Sequence, residues 1–272
     1  VEKEEVSLLT IKRLSMLYIF SVILSIVPSL LLVWLFYKLD YFPEPPRVLW
    51  TTFGLGVLIT VPAVGISTFL LTQFYTHYSS YGWVAYSFFR AFCCAALVEE
   101  SLKFLILYGY SFQDKEFDEP MDGIVYGVAV SLGFAMLENI LYVTQKGFYV
   151  AVLRFILSVP AHALFGAVMG CFIGQSRYGK NHKLCFLTAM ILPVILHGMY
   201  NFPLFLLQKS KDLSSQISLC GAVFLLMICM WGWVLKKVFY LKKQQMNLGK
   251  ILNNFLRLPP KVKKEENNNI ST

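Results

Sequence analysis

Seven stretches of mostly apolar residues, at 16–37, 48–71, 83–109, 121–144, 150–174, 184–207 and 217–241, run through this chain. About 20 such residues wound as a helix cross the hydrocarbon core of a bilayer. Inside that core every backbone N–H and C=O must find a protein partner, which leaves helices as the way to bury runs of this kind. The composition agrees: 57% of residues are hydrophobic, 15% are charged, and mean hydropathy is +0.59. A soluble globule is excluded by those values. The expectation is an all-α, polytopic integral membrane protein with about seven transmembrane helices in one bundle over residues 16–241. A polar segment, 1–15, precedes the bundle, and a basic, disordered tail, 242–272, follows it.

The net charge of +8 does not point to nucleic acid. Much of it lies late in the chain, in Lys236, Lys237, Lys242, Lys243, Lys250, Arg257, Lys261, Lys263 and Lys264, and no recognition motif accompanies it. A basic tail after a last apolar run reads as cytoplasmic and held near anionic lipid. The short loop with Arg177, Lys180 and Lys183 falls on the same side. The first run has no small-residue cleavage pattern and reads as a span. None of the six cysteines forms a C-x-x-C pair, and all six read as buried small hydrophobes.

Against this apolar background, charge inside a span is costly, at least about 2.5–3.5 kcal/mol for a residue at the bilayer centre. The third run nevertheless holds Glu99, Glu100 and Lys103 within five residues. At 100° per residue, Lys103 falls between the two carboxylates and can neutralise one of them. The other is left without a charge partner in its own helix, which suits it to accept a proton. Helix geometry does not choose between Glu99 and Glu100.

Three further runs add polar groups. The fourth has a small-residue stripe, Gly123, Gly127, Ser131 and Ala135, that predicts close helix approach, and then Glu138-Asn139. The fifth has His162 just after Pro160, with Gly166, Gly170 and Gly174 following at four-residue steps. The sixth has His197 and Asn201 on one face, after Pro193. Histidines, glutamates and an amide are the materials for activating water. In one route His162, His197 and Glu138 hold a divalent metal such as zinc while another glutamate acts as base. In the other, a glutamate takes the proton directly, and a histidine with Asn201 holds the oxyanion. No H-E-x-x-H is present to favour the first.

These motifs, in their order, resemble the PrsW family of intramembrane proteases, distant relatives of the CAAX prenyl protease/CPBP superfamily. The resemblance is carried by Glu99-Glu100-x-x-Lys103, by Gly133-Phe134-x-x-x-Glu138-Asn139-x-x-Tyr142, by His162 with Phe165-Gly166, and by His197-x-x-x-Asn201. The loop Asp40-Tyr41-x-Pro43-Glu44-Pro45 resembles the family's acidic, proline-bearing segment after its first span. The resemblance implies a membrane endopeptidase of the bacterial plasma membrane. Its site would be built from Glu99, Glu100, Lys103, Glu138, Asn139, His162, His197 and Asn201. The substrate it implies is a membrane-anchored protein, of which an anti-sigma factor is the family's best-known example. The competing expectations are an ion- or proton-coupled transporter, which also needs intramembrane acids but is expected to show repeated halves, and a non-catalytic scaffold.

Overall fold

The computed structural model describes the backbone of residues 2–78 and 82–256 and the side chains of residues 16–76 and 82–251. The described chain is helical nearly throughout. Its helices are α1 (Glu2–Leu39), α2 (Pro46–Tyr78), α3 (Gly82–Phe89), α4 (Leu97–Gly109), α5 (Pro120–Lys146), α6 (Phe148–Leu153), α7 (Val159–Tyr178), α8 (His182–Leu207) and α9 (Leu213–Leu256). Two π-helical segments, Arg90–Ala96 and Arg154–Ser158, join α3 to α4 and α6 to α7.

Six of these helical runs are long and apolar enough to cross a membrane. The predicted third span is the exception. It is helical from Gly82 to Gly109 but is divided by its π segment, and it carries Arg90, Glu99, Glu100 and Lys103.

Burial separates core from periphery. The most apolar windows of α5 and of the α6–α7 run are 72% and 78% buried, against 17–33% for α1, α2, α8 and α9. The outer helices turn Trp34, Leu58, Val61, Phe69, Leu225 and Ile228 outward, as lipid-facing surfaces require. Cys220 and Cys229 are also exposed on α9, whereas Cys94 and Cys171 are buried. The reading of all six cysteines as buried residues is corrected for that pair.

The central pair meets backbone to backbone. A Cβ at Gly127 would collide with the carbonyl oxygen of Gly166, and one at Gly170 with that of Gly123. Gly133 meets α2 in the same way, at the carbonyl of Phe53. The small stripe therefore sets how near α7 can come to α5. Gly127→Val and Gly170→Val are each expected to cost more than the roughly 1–3 kcal/mol of ordinary overpacking, because backbone rather than a flexible side chain must move. Thermal unfolding in detergent measures this. Gly221→Val, on an open face of α9 with nothing within 4 Å, should stay within about 0.5 kcal/mol of the parent.

Helix ends follow local chemistry. Pro120 opens α5 behind a capping box of Glu119 and Asp122. Gly147, at φ 79°, turns the chain into α6. At the far end the bundle does not stop at Leu241. Helix α9 continues to Leu256, and Gln245 packs back against the α1–α2 loop. The tail expected from residue 242 is thus helical over its first fifteen positions, and residues 257–272 lie outside the described chain.

Candidate active site

Both π segments end just before polar residues of the core. The first closes on Leu97, whose N–H reaches the carbonyl of Phe92, and Glu99 and Glu100 follow at once. The second closes on Val159, whose N–H reaches the carbonyl of Arg154, and His162 follows one turn on. Five-residue closures add a residue to a turn and change which face the downstream side chains occupy. The first segment leaves Arg90 and Glu99 lining one cavity, and the second does the same for Arg154 and His162.

The centre is a chain of charge-assisted contacts. Lys103 is fully buried. Its Nζ lies 2.7 Å from Glu100 Oε1, 3.0 Å from His162 Nδ1 and 3.6 Å from Glu99 Oε2. Glu100 Oε1 also receives His197 Nδ1 at 2.8 Å. His162 Nε2 stands 3.1 Å from Glu138 Oε2, which Arg154 Nη2 also reaches at 2.7 Å. Arg154 Nε donates to Asn139 Oδ1 at 2.5 Å, and its guanidinium lies over the Tyr142 ring. Phe165 stacks on His197 at 4.7 Å between centroids, and Ser131 Oγ donates to the His162 carbonyl, fixing α5 against α7 at the imidazole.

Lys103 thus sits closest to Glu100, and Glu99 is the carboxylate left over. Glu99 Oε2 is buried without a hydrogen-bond partner. Two cavities meet there. One of about 440 Å³ lies beside α2 and is lined by Ala63, Ser67, Arg90, Glu99, Glu138 and Tyr142. The other, about 310 Å³, is lined by Glu99, Glu138, Arg154, His162, His197 and Asn201. Arg90, Glu99, Glu138 and Tyr142 line both cavities.

The partners also assign the imidazole protons. Glu100 can only accept as a carboxylate, so His197 carries a proton on Nδ1, which in the neutral ring leaves Nε2 as the acceptor. Lys103 can only donate as an ammonium, so His162 Nδ1 accepts and Nε2–H points at Glu138.

A metal was expected on His162, His197 and Glu138. The geometry groups differently: donor atoms of Glu99, His162 and His197 all lie within 4.8 Å of one another. Glu138 is instead committed to Arg154 and His162. The donor set of two nitrogens and an orphaned buried carboxylate oxygen fits a divalent transition metal. Glu100 behind His197 is the outer carboxylate that such ligands commonly have. With His162 Nε2 given to a metal, Nδ1 would keep the proton and face Lys103 donor to donor, so Lys103 would have to shift further onto Glu100.

Of the residues singled out in sequence, Glu99, Glu100, Lys103, Glu138, His162 and His197 come together. Asn201 lines the smaller cavity, and Asn139 stands behind Arg154, with Nδ2 unpartnered. Arg154 is the residue that sequence reasoning missed. A guanidinium inside a run expected to span a membrane was the available signal.

The family model described as PrsW family intramembrane metalloprotease matches residues 44–234. Protease PrsW of Geobacillus kaustophilus (strain HTA426) is 36% identical over 217 residues, covering 79% of this chain and 88% of that one. Protease PrsW of Oceanobacillus iheyensis is 40% identical over 179 residues, covering 65% and 80%. Protease PrsW of Bacillus subtilis (strain 168) is 39% identical over 181 residues, covering 65% and 79%. No solved structure matches.

Proposed function

The chain belongs to the PrsW family of intramembrane metalloproteases, and on that premise we propose that it hydrolyses a peptide bond of a membrane-anchored protein at the Glu99–His162–His197 centre. The observation that carries this reading is the meeting of a buried carboxylate oxygen that accepts no hydrogen bond, Glu99 Oε2, and two oriented imidazoles where two cavities join. Glu99, His162 and His197 would hold a divalent metal. When bound, that ion lowers the pKa of its water and polarises the scissile carbonyl. Glu138, in the same chamber and steadied by Arg154, is the carboxylate placed to receive a proton from the attacking water. Glu100 and Lys103 orient the two histidines. Asn201 lines the chamber where an oxyanion would form.

One observation favours a second, metal-free reading. Both nitrogens of His162 already have protein partners, Lys103 and Glu138. In that version Glu99 itself is the base, and His197 with Asn201 holds the oxyanion.

Metal content and activity of the purified full chain separate the two. The first reading expects one equivalent of metal per chain and loss of cleavage on chelation. It also expects metal loss in His197→Ala, and retained metal with about 10²–10⁴-fold slower cleavage in Glu138→Gln. Cleavage that survives complete chelation establishes the second reading. Failure of both Glu99→Gln and His197→Ala to slow cleavage defeats both.

The substrate fitting the larger, mostly apolar cavity is a single-pass protein segment, of which an anti-sigma-factor-like protein is the class suggested by the resemblance. A bacterial plasma-membrane location with a cytoplasmic C-terminus near anionic lipid is part of the same proposal.

A further inference from the structure

A second group of acids lies at the end of the bundle where α1 turns into α2. Asp40 and Glu44 belong to that turn, Glu119 and Asp122 to the start of α5, and Gln245 to α9. The turn reads in sequence as a proline-stiffened connector, and residues 110–120 as a solvated acidic loop. Asp40 and Glu44 of that turn are buried, at 5% and 4% exposure, as is Asp122 of α5 at 0%, while Asp118 stays exposed and Glu119 is half-buried.

Capping and local turns use only part of these carboxylates. Asp122 Oδ2 accepts the backbone N–H groups of Asp118 and Glu119, both at 2.7 Å. Asp40 Oδ1 accepts from Phe42 N and from Gln245 Nε2, which also serves Glu119. Tyr126 donates its hydroxyl to Glu44. Asp40 Oδ2 and Asp122 Oδ1 remain, buried and without any donor. Among the described residues no lysine or arginine forms an ion pair with any of the four acids.

Carboxylate oxygens of Asp40, Glu119 and Asp122 lie within 4.8 Å of one another, and Glu44 interacts with Asp122 directly. Buried acceptors facing each other with no donor between them are costly unless something positive is shared.

We infer that Asp40, Glu44, Glu119 and Asp122 form a site for a hard divalent cation, calcium or magnesium, that ties the α1–α2 turn to the start of α5. Gln245 would hold Asp40 and Glu119 in place from α9. The donors are all oxygens, which suits these ions and not a transition metal that prefers imidazole. The site shares no residue with the Glu99–His162–His197 centre and does not rest on its chemistry.

Equilibrium dialysis of the purified full chain against calcium, and separately magnesium, tests this without reference to proteolysis. The expected result is one ion per chain and a cation-dependent rise in unfolding temperature. Affinity should fall at least about tenfold in Asp40→Asn and in Glu44→Gln, and stay unchanged in Glu99→Gln. Wild-type chain that binds neither ion up to roughly millimolar concentrations, the weak end of protein calcium sites, overturns the proposal. That wild-type measurement stands even where a variant fails to fold. Equal binding by folded Asp40→Asn and Glu44→Gln chains overturns it as well, as does a stoichiometry that falls in Glu99→Gln.

Discussion

Glu99→Gln is expected to leave the bundle as stable as the parent while slowing peptide-bond cleavage by about 10³-fold, within the range for losing a proton-transferring or charge-bearing group at a reacting centre. The substitution keeps the shape of the side chain. It removes a charge whose Oε2 accepts no hydrogen bond and lies 3.6 Å from the nearest ammonium. The folded state therefore has little to lose. Both readings of the chemistry need the carboxylate, one as a metal donor and the other as the base.

Glu100→Gln is the informative contrast. Its Oε1 holds both Lys103 and His197. Neutralising it weakens a buried ion pair and releases the ring that Glu100 orients, so activity and stability should fall together. Two assays on the same preparations decide the matter: cleavage of a single-pass membrane protein in vesicles, and thermal unfolding in detergent. A Glu99→Gln chain that cleaves at the parental rate, or unfolds as early as Glu100→Gln, removes Glu99 from the role assigned to it.

That distinction between neighbouring glutamates shows where sequence reading stops. Apolar runs name their own helices because bilayer thickness and backbone hydrogen bonding leave few alternatives. The placement of Lys103 between two carboxylates follows from 100° per residue. Which carboxylate it takes does not. That depends on His162 and His197, which reach in from α7 and α8, and on a π turn that alters the facing of α4. Nothing in the composition of residues 90–96 signals such a turn. Glu138 reads in sequence as a further acid or metal ligand, and the guanidinium that pairs with it, Arg154, lies one loop away in sequence. The α1–α2 turn reads in sequence as a plain connector, yet its acids Asp40 and Glu44 are buried. Their burial is created by α5 and by a continuation of α9 beyond the last apolar run.

Lys103→Met should destabilise the bundle by about 3–5 kcal/mol, the usual cost of leaving one member of a buried ion pair behind. The side chain is enclosed completely, its ammonium 4.3 Å from the Phe134 ring centroid and in contact with Glu100 and His162. Methionine fills nearly the same volume, so little of the loss comes from packing. What remains is Glu100 with His197 as its single partner, and His162 Nδ1 with no donor. Arginine is no conservative replacement, because a planar fork is larger than the space that a lysine head occupies here. The decisive measurement is a double-mutant cycle. If Lys103 acts chiefly by neutralising Glu100, the Lys103→Met/Glu100→Gln chain should be more stable than the two single losses added together, with a coupling of about 0.5–3 kcal/mol. Additive losses would place the cost in His162 and the aromatic contact instead. In that case Lys103 would be a support for the imidazole of α7 rather than the counter-ion of the glutamate pair.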